Sequence, residues 1–92
     1  MQSDLQIGSV VKSLKGRDAG ESLVVIGFQG NRVLTVNGRT RKTDKPKLKN
    51  KKHLLMGNEG IILEIPIKLA KGEKLGNQTV KKLIAEKLKQ EE

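Results

Sequence analysis

Short β-prone segments separated by glycine turns most constrain how this chain can fold. Residues 8–14, 22–28 and 32–36 are rich in valine, leucine and isoleucine, and each is too short for a helix in this context. Lys15–Gly20 joins the first two segments, and its two glycines allow a loop with positive φ at two positions. Gly30 and Asn31 join the next two and suit a two-residue type II′ turn. The pattern predicts an antiparallel sheet of short strands.

Asn37 and Gly38 form the strongest hairpin signal in the sequence, and they predict a fourth strand over Arg39–Lys42. A two-residue loop would place Arg39 and Arg41 on the face that carries core residues of the preceding strand. A three-residue loop with Gly38 in a G1 bulge would place them on the opposite face. Because burying an arginine costs free energy, we favour the bulged form.

The segment after this strand indicates how the sheet is completed. Residues 44–52 contain Pro46 and are mostly polar or charged, which predicts a loop. Residues 53–56 predict a short closing strand. Four or five short strands in about fifty residues predict a small barrel, because a flat sheet of that size would leave two unpaired edges.

The segment from Ile61 to Lys71 fits two structures. Large apolar residues occupy every second position from Ile61 onward, as in a strand, and Pro66 would restrict such a strand to a sheet edge. Pro66 also suits the first turn of a short helix over Ile67–Lys71. The sequence leaves both alternatives open.

An amphipathic helix is predicted near the end of the sequence. Asn77 is a good N-cap for a helix from Thr79 to about Gln90. The apolar stripe of this helix comprises Val80, Leu83, Ile84 and Leu88. Because a helix of about twelve residues is marginal alone, the stripe must be covered. We expect it to dock on the barrel of a monomer, and a homodimer formed through this helix is the alternative. The predicted organisation is a barrel over residues 8–57 and an extension over residues 58–92.

Composition excludes several classes of site. The chain has no cysteine, which excludes disulfides and thiolate metal sites, and its single histidine, His53, cannot build a histidine-based metal site. Neither a P-loop glycine spacing nor a nucleophile–base pair is present, so we expect no enzymatic activity and no cofactor. No apolar segment approaches the roughly 20 residues needed to span a bilayer, and the first thirty residues contain no secretion signal. We therefore expect a cytoplasmic protein.

Positive charge is concentrated in Arg39–Lys52. This segment contains eight basic residues and one acidic residue, Asp44, which gives it a net charge of +7 within a chain of +9. Such a concentration of charge favours a polyanionic partner. An anionic membrane would require an adjacent apolar helical face, and the segment contains one large apolar residue, Leu48. Nucleic acid is therefore the expected partner, and membrane is not.

Phe28 is the only aromatic residue of the chain. Proteins that bind single strands stack bases on aromatic side chains. Phe28 lies in an apolar run, where we expect it to be buried. We therefore expect phosphate and shape contacts to folded RNA rather than stacking on unpaired bases.

Three blocks of the sequence resemble a known family. Val10–Gly20 (VVKSLKGRDAG) followed by Leu23–Ile26 resembles the strand, glycine loop and second strand of a KOW motif. Together with Arg39–Lys42 and Lys49–Leu54, these residues are similar to the fourteen-e family of large-subunit ribosomal proteins and its bacterial KOW-domain relatives. The resemblance covers roughly residues 8–56, whereas residues 57–92 match only loosely. It implies an RNA-binding SH3-like (KOW) barrel, usually on ribosomal RNA. With the helix predicted from the apolar stripe, the expected fold is mainly β, a barrel of about five strands followed by a C-terminal α-helix.

The residues expected to contact RNA phosphates combine the glycine loop with the basic segment. They are Lys15, Arg17, Arg39, Arg41, Lys42, Lys45, Lys47, Lys49, Lys51 and Lys52. We expect the two arginines at 39 and 41 to share one face of a strand, and the lysines from position 45 onward to form a loop that runs along the RNA.

Other residues near these cations are assigned to structure. We expect Asp18 to cap its loop or to orient Arg17, and Asn50 with His53 to stabilise a turn. The predicted function is that of a ribosomal or ribosome-associated RNA-binding protein, with ribosomal proteins as further partners. The alternative is a KOW-type protein-interaction module, in which the barrel groove and the helical stripe bind the partner and the basic segment only steers it.

Overall fold

The computed structural model describes residues 5–89, apart from the side chains of residues 58 and 59. Within that range lie the strands β1 (Ser9–Ser13), β2 (Ser22–Gln29), β3 (Arg32–Val36), β4 (Lys47–Asn50) and β5 (Leu54–Ile61). Two helices follow, α1 (Glu64–Ala70) and α2 (Asn77–Lys89), and a 3-10 turn over Lys51–His53 joins β4 to β5. The predicted end of the last helix, Gln90, lies outside the described residues.

The five strands form one antiparallel sheet in the order β4-β3-β2-β1-β5. The last strand returns to the first, so that Val11 lies opposite Met56 and Ser13 opposite Leu54. Register shifts between Val25 and Gly27 and between Ser9 and Val11 are irregularities of the kind that bend a strand. The sheet therefore curls into a half-barrel, which confirms the predicted mainly β, SH3-like fold of five strands followed by a helix.

The turn between β2 and β3 is the predicted two-residue turn. Gln29 and Arg32 are paired on either side of it, Gly30 has a φ of 61°, and no residue other than glycine has a positive φ in the described chain. A positive φ at the first central position alone is the requirement of a type II′ turn. The tight turn fixes the pairing of the adjoining residues, from Gly27 opposite Leu34 to Gln29 opposite Arg32.

The sheet is buried on both faces, because successive residues of a strand point to opposite sides. Val11 faces the inside of the half-barrel, whereas its neighbour Val10 faces the helices. The inner cluster consists of Leu5, Val11, Leu23, Val25, Val33 and Leu54. The outer cluster consists of Val10, Val24, Val36, Ile62, Ile65, Leu75, Val80, Leu83 and Ile84. Each fully buried side chain of this kind stabilises the fold by about 1.5–3 kcal/mol, which allows the chain to fold without disulfides.

The apolar stripe of α2 docks on the sheet of the same chain. Val80, Leu83 and Ile84 are buried in the outer cluster, whereas Leu88 is exposed. The helix begins at Asn77 rather than at Thr79, and the prediction that Asn77 is its N-cap is wrong. The Asn77 side-chain oxygen accepts a hydrogen bond from the backbone N–H of Thr43 instead, at 2.8 Å. The helix therefore holds the loop that precedes β4.

The predicted hairpin at Asn37 and the predicted strand over Arg39–Lys42 are wrong. Residues 37–46 form a loop, and the fourth strand is β4, in which Lys47 pairs with Thr35 and Asn50 with Arg32. The Asn37 side-chain oxygen accepts the backbone N–H groups of Arg39 and Arg41, both at 2.9 Å. These bonds close a compact turn and take the amide groups that a strand would need for pairing. Neither of the two registers considered for Arg39–Lys42 is formed.

The segments around this loop also differ from their predictions. Residues 44–52 are not one loop, because Pro46 immediately precedes β4, where its missing N–H costs no ladder bond. The closing strand extends to Ile61, so the sheet passes the boundary predicted at residue 57. The helical alternative holds for the segment that follows, but α1 starts at Glu64, three residues before the predicted start, and Pro66 lies in its first turn.

Candidate nucleic-acid interface

The loop between β1 and β2 turns a carboxylate into the protein. Gly16 and Gly20 have φ values of 92° and 89°, as their positions in the sequence predict. The N–H of Gly20 donates to the carbonyl of Ser13 at 2.8 Å, and this bond closes the loop around Asp18. The Asp18 side chain is only 2% exposed. Among the described hydrogen bonds, its carboxylate contacts neither Arg17 nor a backbone N–H of the loop, so neither predicted role, orienting Arg17 or capping the loop, is observed.

Asp18 is the centre of a buried cluster of four side chains. Its Oδ1 accepts hydrogen bonds from the hydroxyl of Ser13 at 2.8 Å and from Lys49 Nζ at 2.6 Å, and its Oδ2 accepts one from Arg41 Nε at 3.1 Å. Lys49 Nζ also donates to the Ser13 hydroxyl at 3.1 Å and to the carbonyl of Lys15 at 2.9 Å. The three donors of the ammonium group are therefore satisfied. We call Ser13, Asp18, Arg41 and Lys49 the Asp18 cluster.

The single negative charge of Asp18 partly offsets the two positive charges of the Asp18 cluster. Burial by itself would raise the pKa of Asp18, but the hydrogen bonds from Lys49, Ser13 and Arg41 outweigh that effect and lower the pKa from 3.8 to about 2. The carboxylate is thus ionised at neutral pH and forms an ion pair with both Lys49 and Arg41. A buried lysine without such a partner would be strongly unfavourable.

The Asp18 cluster brings three basic segments to one part of the half-barrel. Lys49 connects β4 to the β1–β2 loop through the carbonyl of Lys15, and Arg41 connects the 37–46 loop to the same carboxylate. The 3-10 turn that follows β4 joins them, because the carbonyl of His53 accepts the N–H of Leu14 at 2.9 Å. Segments far apart in sequence are therefore held side by side.

The predicted phosphate-contacting residues fall into two groups. Arg41 and Lys49 bind Asp18, so their charges are used within the fold. The prediction that Arg39 and Arg41 share a strand face is wrong, and so is the prediction that Lys47 and Lys49 lie in a loop. The remaining eight have no carboxylate within 4.0 Å among the described residues, and all but the half-buried Lys51 are exposed: Lys15, Arg17, Arg39, Lys42, Lys45, Lys47, Lys51 and Lys52.

The 3-10 turn has the structural role predicted for Asn50. Its side-chain oxygen accepts the N–H of Lys52 at 3.2 Å and thereby caps the turn. His53 contributes through its backbone carbonyl. Desolvation lowers the pKa of its imidazole, and the positive charges of Lys15, Lys52 and Lys49 lower it further. Desolvation and the neighbouring lysines therefore both disfavour the charged form of the imidazole.

Phe28 is not buried, contrary to the prediction. Its side chain is 43% exposed, and Lys51 Nζ lies over the ring, 5.8 Å from its centroid. The position of Phe28 explains the difference, because it is the second-last residue of β2, at the end of the sheet where little chain remains to cover it. The sequence signal for this exposure is that Phe28 lies only two residues before the turn at Gly30.

Lys81 is a further basic residue near this surface that sequence reasoning did not select. With Arg39 it lines a cavity of about 320 Å³, whose apolar wall includes Ile84 and Leu88 of α2. It also lines a neighbouring depression together with Arg39 and Lys42. The sequence could not place Lys81 beside Arg39 and Lys42, because only the packing of the 37–46 loop against the start of α2 brings them together.

The described part of the chain shows neither a metal-binding cluster nor a helix that could span a membrane. Within residues 5–89, no three histidine or acidic side chains group closely enough to hold a metal ion. Among the same residues, neither helix is both long and apolar enough to cross a membrane.

The fold and the cluster of unpaired cations together define a small, strongly basic β-barrel protein of SH3-like architecture with a helix docked on its outer face. No family model matches the chain, and no curated protein matches it at a significant level. The resemblance to KOW domains and to the fourteen-e ribosomal family therefore stays a prediction.

Proposed function

We propose that this chain is an RNA-binding module that contacts folded RNA, with ribosomal RNA as its ligand. The observation that carries the proposal is the Asp18 cluster, which joins three basic segments while its single carboxylate pairs with only two of their cations. Eight further cations of those segments have no carboxylate partner in the described chain. Lysine and arginine side chains that neutralise phosphates release condensed counterions, and this release supplies the affinity.

The arrangement of the cations favours a folded nucleic acid. Asp18 fixes the positions of the loops relative to one another, so the charges on them have a defined spacing. A fixed set of cations matches phosphates that are themselves fixed, as in an RNA helix or a compact junction. The choice of RNA over DNA, the ribosome and the cytoplasm rest on the KOW resemblance, and ribosomal proteins are further proposed partners.

One structural observation disfavours the protein-interaction alternative. That alternative requires the stripe of α2 to bind a partner, but Val80, Leu83 and Ile84 are already buried against the sheet of the same chain. Only Leu88 of the stripe remains exposed. The same packing supports a monomer over a dimer formed through this helix.

A salt titration of RNA affinity tests the proposal. Anisotropy of a labelled RNA stem–loop would be measured at several salt concentrations, with a DNA duplex of equal length as competitor. If about five phosphates are contacted, log K against log salt should have a slope of roughly −3.5 to −4.5. A slope near zero would overturn the proposal, and equal competition by DNA would replace it with general nucleic-acid binding.

Two triple variants of equal charge locate the interface. The variant with Lys42→Gln, Lys45→Gln and Lys52→Gln should lose about one unit of salt slope for each phosphate contact removed. The matched control carries Lys71→Gln, Lys74→Gln and Lys82→Gln, three exposed lysines outside the basic segments. Equal losses in both variants would show that net charge, not the assembled loops, binds RNA. In cell extracts, co-sedimentation with ribosomes should be abolished by RNase.

A further inference from the structure

Phe28 is an exposed aromatic ring in an otherwise well-packed strand. Its side chain is 43% exposed, whereas Leu23, Val24 and Val25 of the same strand are fully buried. It is the only aromatic residue in the chain. The other large apolar side chains that are exposed are aliphatic, so Phe28 alone offers a flat π surface.

The surroundings of the ring are basic. Lys51 Nζ lies 5.8 Å from its centroid, within the range of a cation–π contact. Arg32 pairs with Gln29, the residue after Phe28, and on its other side with Asn50, the residue before Lys51. Phe28 itself pairs with Val33, so strand alternation places Arg32 on the opposite face, and the half-buried Lys51 is the cation that lies at the ring.

An exposed aromatic ring beside a cation is a combination that can bind a single nucleotide. An aromatic face stacks on a nucleobase without regard to sequence, and adjacent cations bind the backbone phosphates of the same nucleotide and its neighbour. An apolar peptide side chain would use the ring equally well but would gain nothing from Lys51. The charge thus selects a nucleotide over a peptide as the occupant.

We propose that Phe28 is a stacking site for one unpaired base, with Lys51 as its phosphate contact. This inference rests on the proposed RNA-binding function and narrows its ligand. The RNA that fits is helical where it meets the basic loops and has an unpaired base, in a loop, a bulge or an end, where it meets the end of β2. The proposal adds one stacked base to the phosphate and shape contacts that the sequence predicts.

The variant Phe28→Trp tests stacking directly, because the natural chain contains no tryptophan or tyrosine. Its emission should be quenched by an RNA stem–loop with an unpaired adenine loop and much less by a fully paired RNA duplex of the same length. Leu55→Trp is the matched control, since Leu55 has a similar exposure, 46%, and lies on β5. Equal quenching at both positions, or none at position 28 while RNA is bound, would overturn the stacking site.

Affinity gives a second readout that does not depend on tryptophan. Phe28→Leu should weaken binding of the stem–loop by about tenfold, which is the loss of one stacked base, and leave duplex binding within about twofold. With the natural protein, 2-aminopurine in the RNA loop should change its fluorescence on binding. Unchanged loop affinity with an undiminished salt slope would refute stacking and leave the RNA-binding proposal intact. Loss of the salt slope itself would refute both.

Discussion

At the scale of single residues, Lys49 and Lys51 show how two like residues acquire different roles. Lys49 is paired with Val33 in the β3–β4 ladder and therefore points to the buried side, where Asp18 receives its charge. Lys51 lies beyond the end of the strand and places its ammonium over the ring of Phe28. The strand's alternation, rather than the composition of the basic segment, separates the structural lysine from the surface one.

Replacing Asp18 should destabilise the fold more than any change at an exposed acid. Asp18→Asn removes the charge that compensates Lys49 and Arg41, and it should lower the free energy of unfolding by about 3 kcal/mol. Denaturant titration would measure this loss. Asp44→Asn, at an exposed position of the 37–46 loop, is the control and should change the stability by less than about 0.5 kcal/mol. Similar values for the two variants would contradict the assigned role of Asp18.

The low pKa of Asp18 predicts a pH dependence of stability. Because its folded pKa is about 2 against an ordinary value of 3.8, the ionised carboxylate contributes stability above about pH 4. That contribution, about 2 kcal/mol, should be lost as the pH falls from about 4 to about 2. Unfolding free energies of the natural protein and of Asp18→Asn, measured across this range, should converge at low pH. A constant difference between them would show that the carboxylate is not the titrating group.

At the scale of elements, the 37–46 loop is held at two points. Arg41 binds Asp18 on the sheet side, and the N–H of Thr43 binds the side chain of Asn77 at the start of α2. Gly38 lies where the loop meets the helix, with a φ of 80°. An added Cβ would collide with the carbonyl oxygen of Asn77 and would lie 2.8 Å from the Cγ of Lys81. The close approach therefore requires glycine.

Gly38→Ala should separate the loop from α2. We expect a loss of about 3 kcal/mol or more, because the collision adds to the cost of a positive φ, and a weaker affinity for RNA because Arg39 and Lys42 move with the loop. Gly20→Ala is the matched control. It has a φ of 89° and open space around the position, so only the backbone cost of about 1–2 kcal/mol applies. Thermal unfolding of the two variants would compare these costs, and equal shifts would argue against the packing.

The elements also show which parts of the fold could be predicted from the sequence. The Gly30 turn and the strands on either side of it follow from local residue preferences. The stripe of α2 follows from its spacing, and its docking in cis was the favoured alternative. The hairpin signal of Asn37 and Gly38 is overridden by the bonds that the Asn37 side chain accepts within the loop and by long-range bonds to Asp18 and Asn77, and the long-range bonds could not be predicted. The sequence also does not show that Arg41 and Lys49 pair with Asp18 while the other cations stay exposed, because those bonds are long-range. The exposure of Phe28 depends on where the sheet ends, which the sequence does not show either.

At the scale of the whole molecule, the positive charge is not compensated by the fold. Of the chain's net +9, the described ion pairs involve only Arg41, Lys49 and Lys68 among the cations. Mutual repulsion of the exposed cations opposes the compact state, whereas the buried Asp18 cluster is little screened by salt. Added salt should therefore stabilise this protein, whereas it weakens a protein that is stabilised by surface salt bridges.

Raising sodium chloride from 20 to 200 mM should stabilise the free protein. Screening of the repulsion should raise Tm by roughly 4–8 °C, which corresponds to about 1 kcal/mol for a domain of this size. A variant with glutamine in place of Lys42, Lys45, Lys47 and Lys52 should show a smaller increase, because much of the repulsion is already removed. Calorimetry of both proteins would decide the matter, and a Tm that falls with salt in the natural chain would contradict this account.

The bond between Thr43 and Asn77 also has a consequence for how the protein is made. The two residues are separated by 34 positions, so the ribosome delivers the partner of Thr43 long after Thr43 itself. During synthesis the sheet residues precede the helix that fixes the 37–46 loop, and the cations of that loop reach their final spacing only when α2 has been translated and has docked. The proposed RNA-binding surface is therefore completed only after α2 has been made, and a chain interrupted before residue 77 would lack the contact that holds the 37–46 loop.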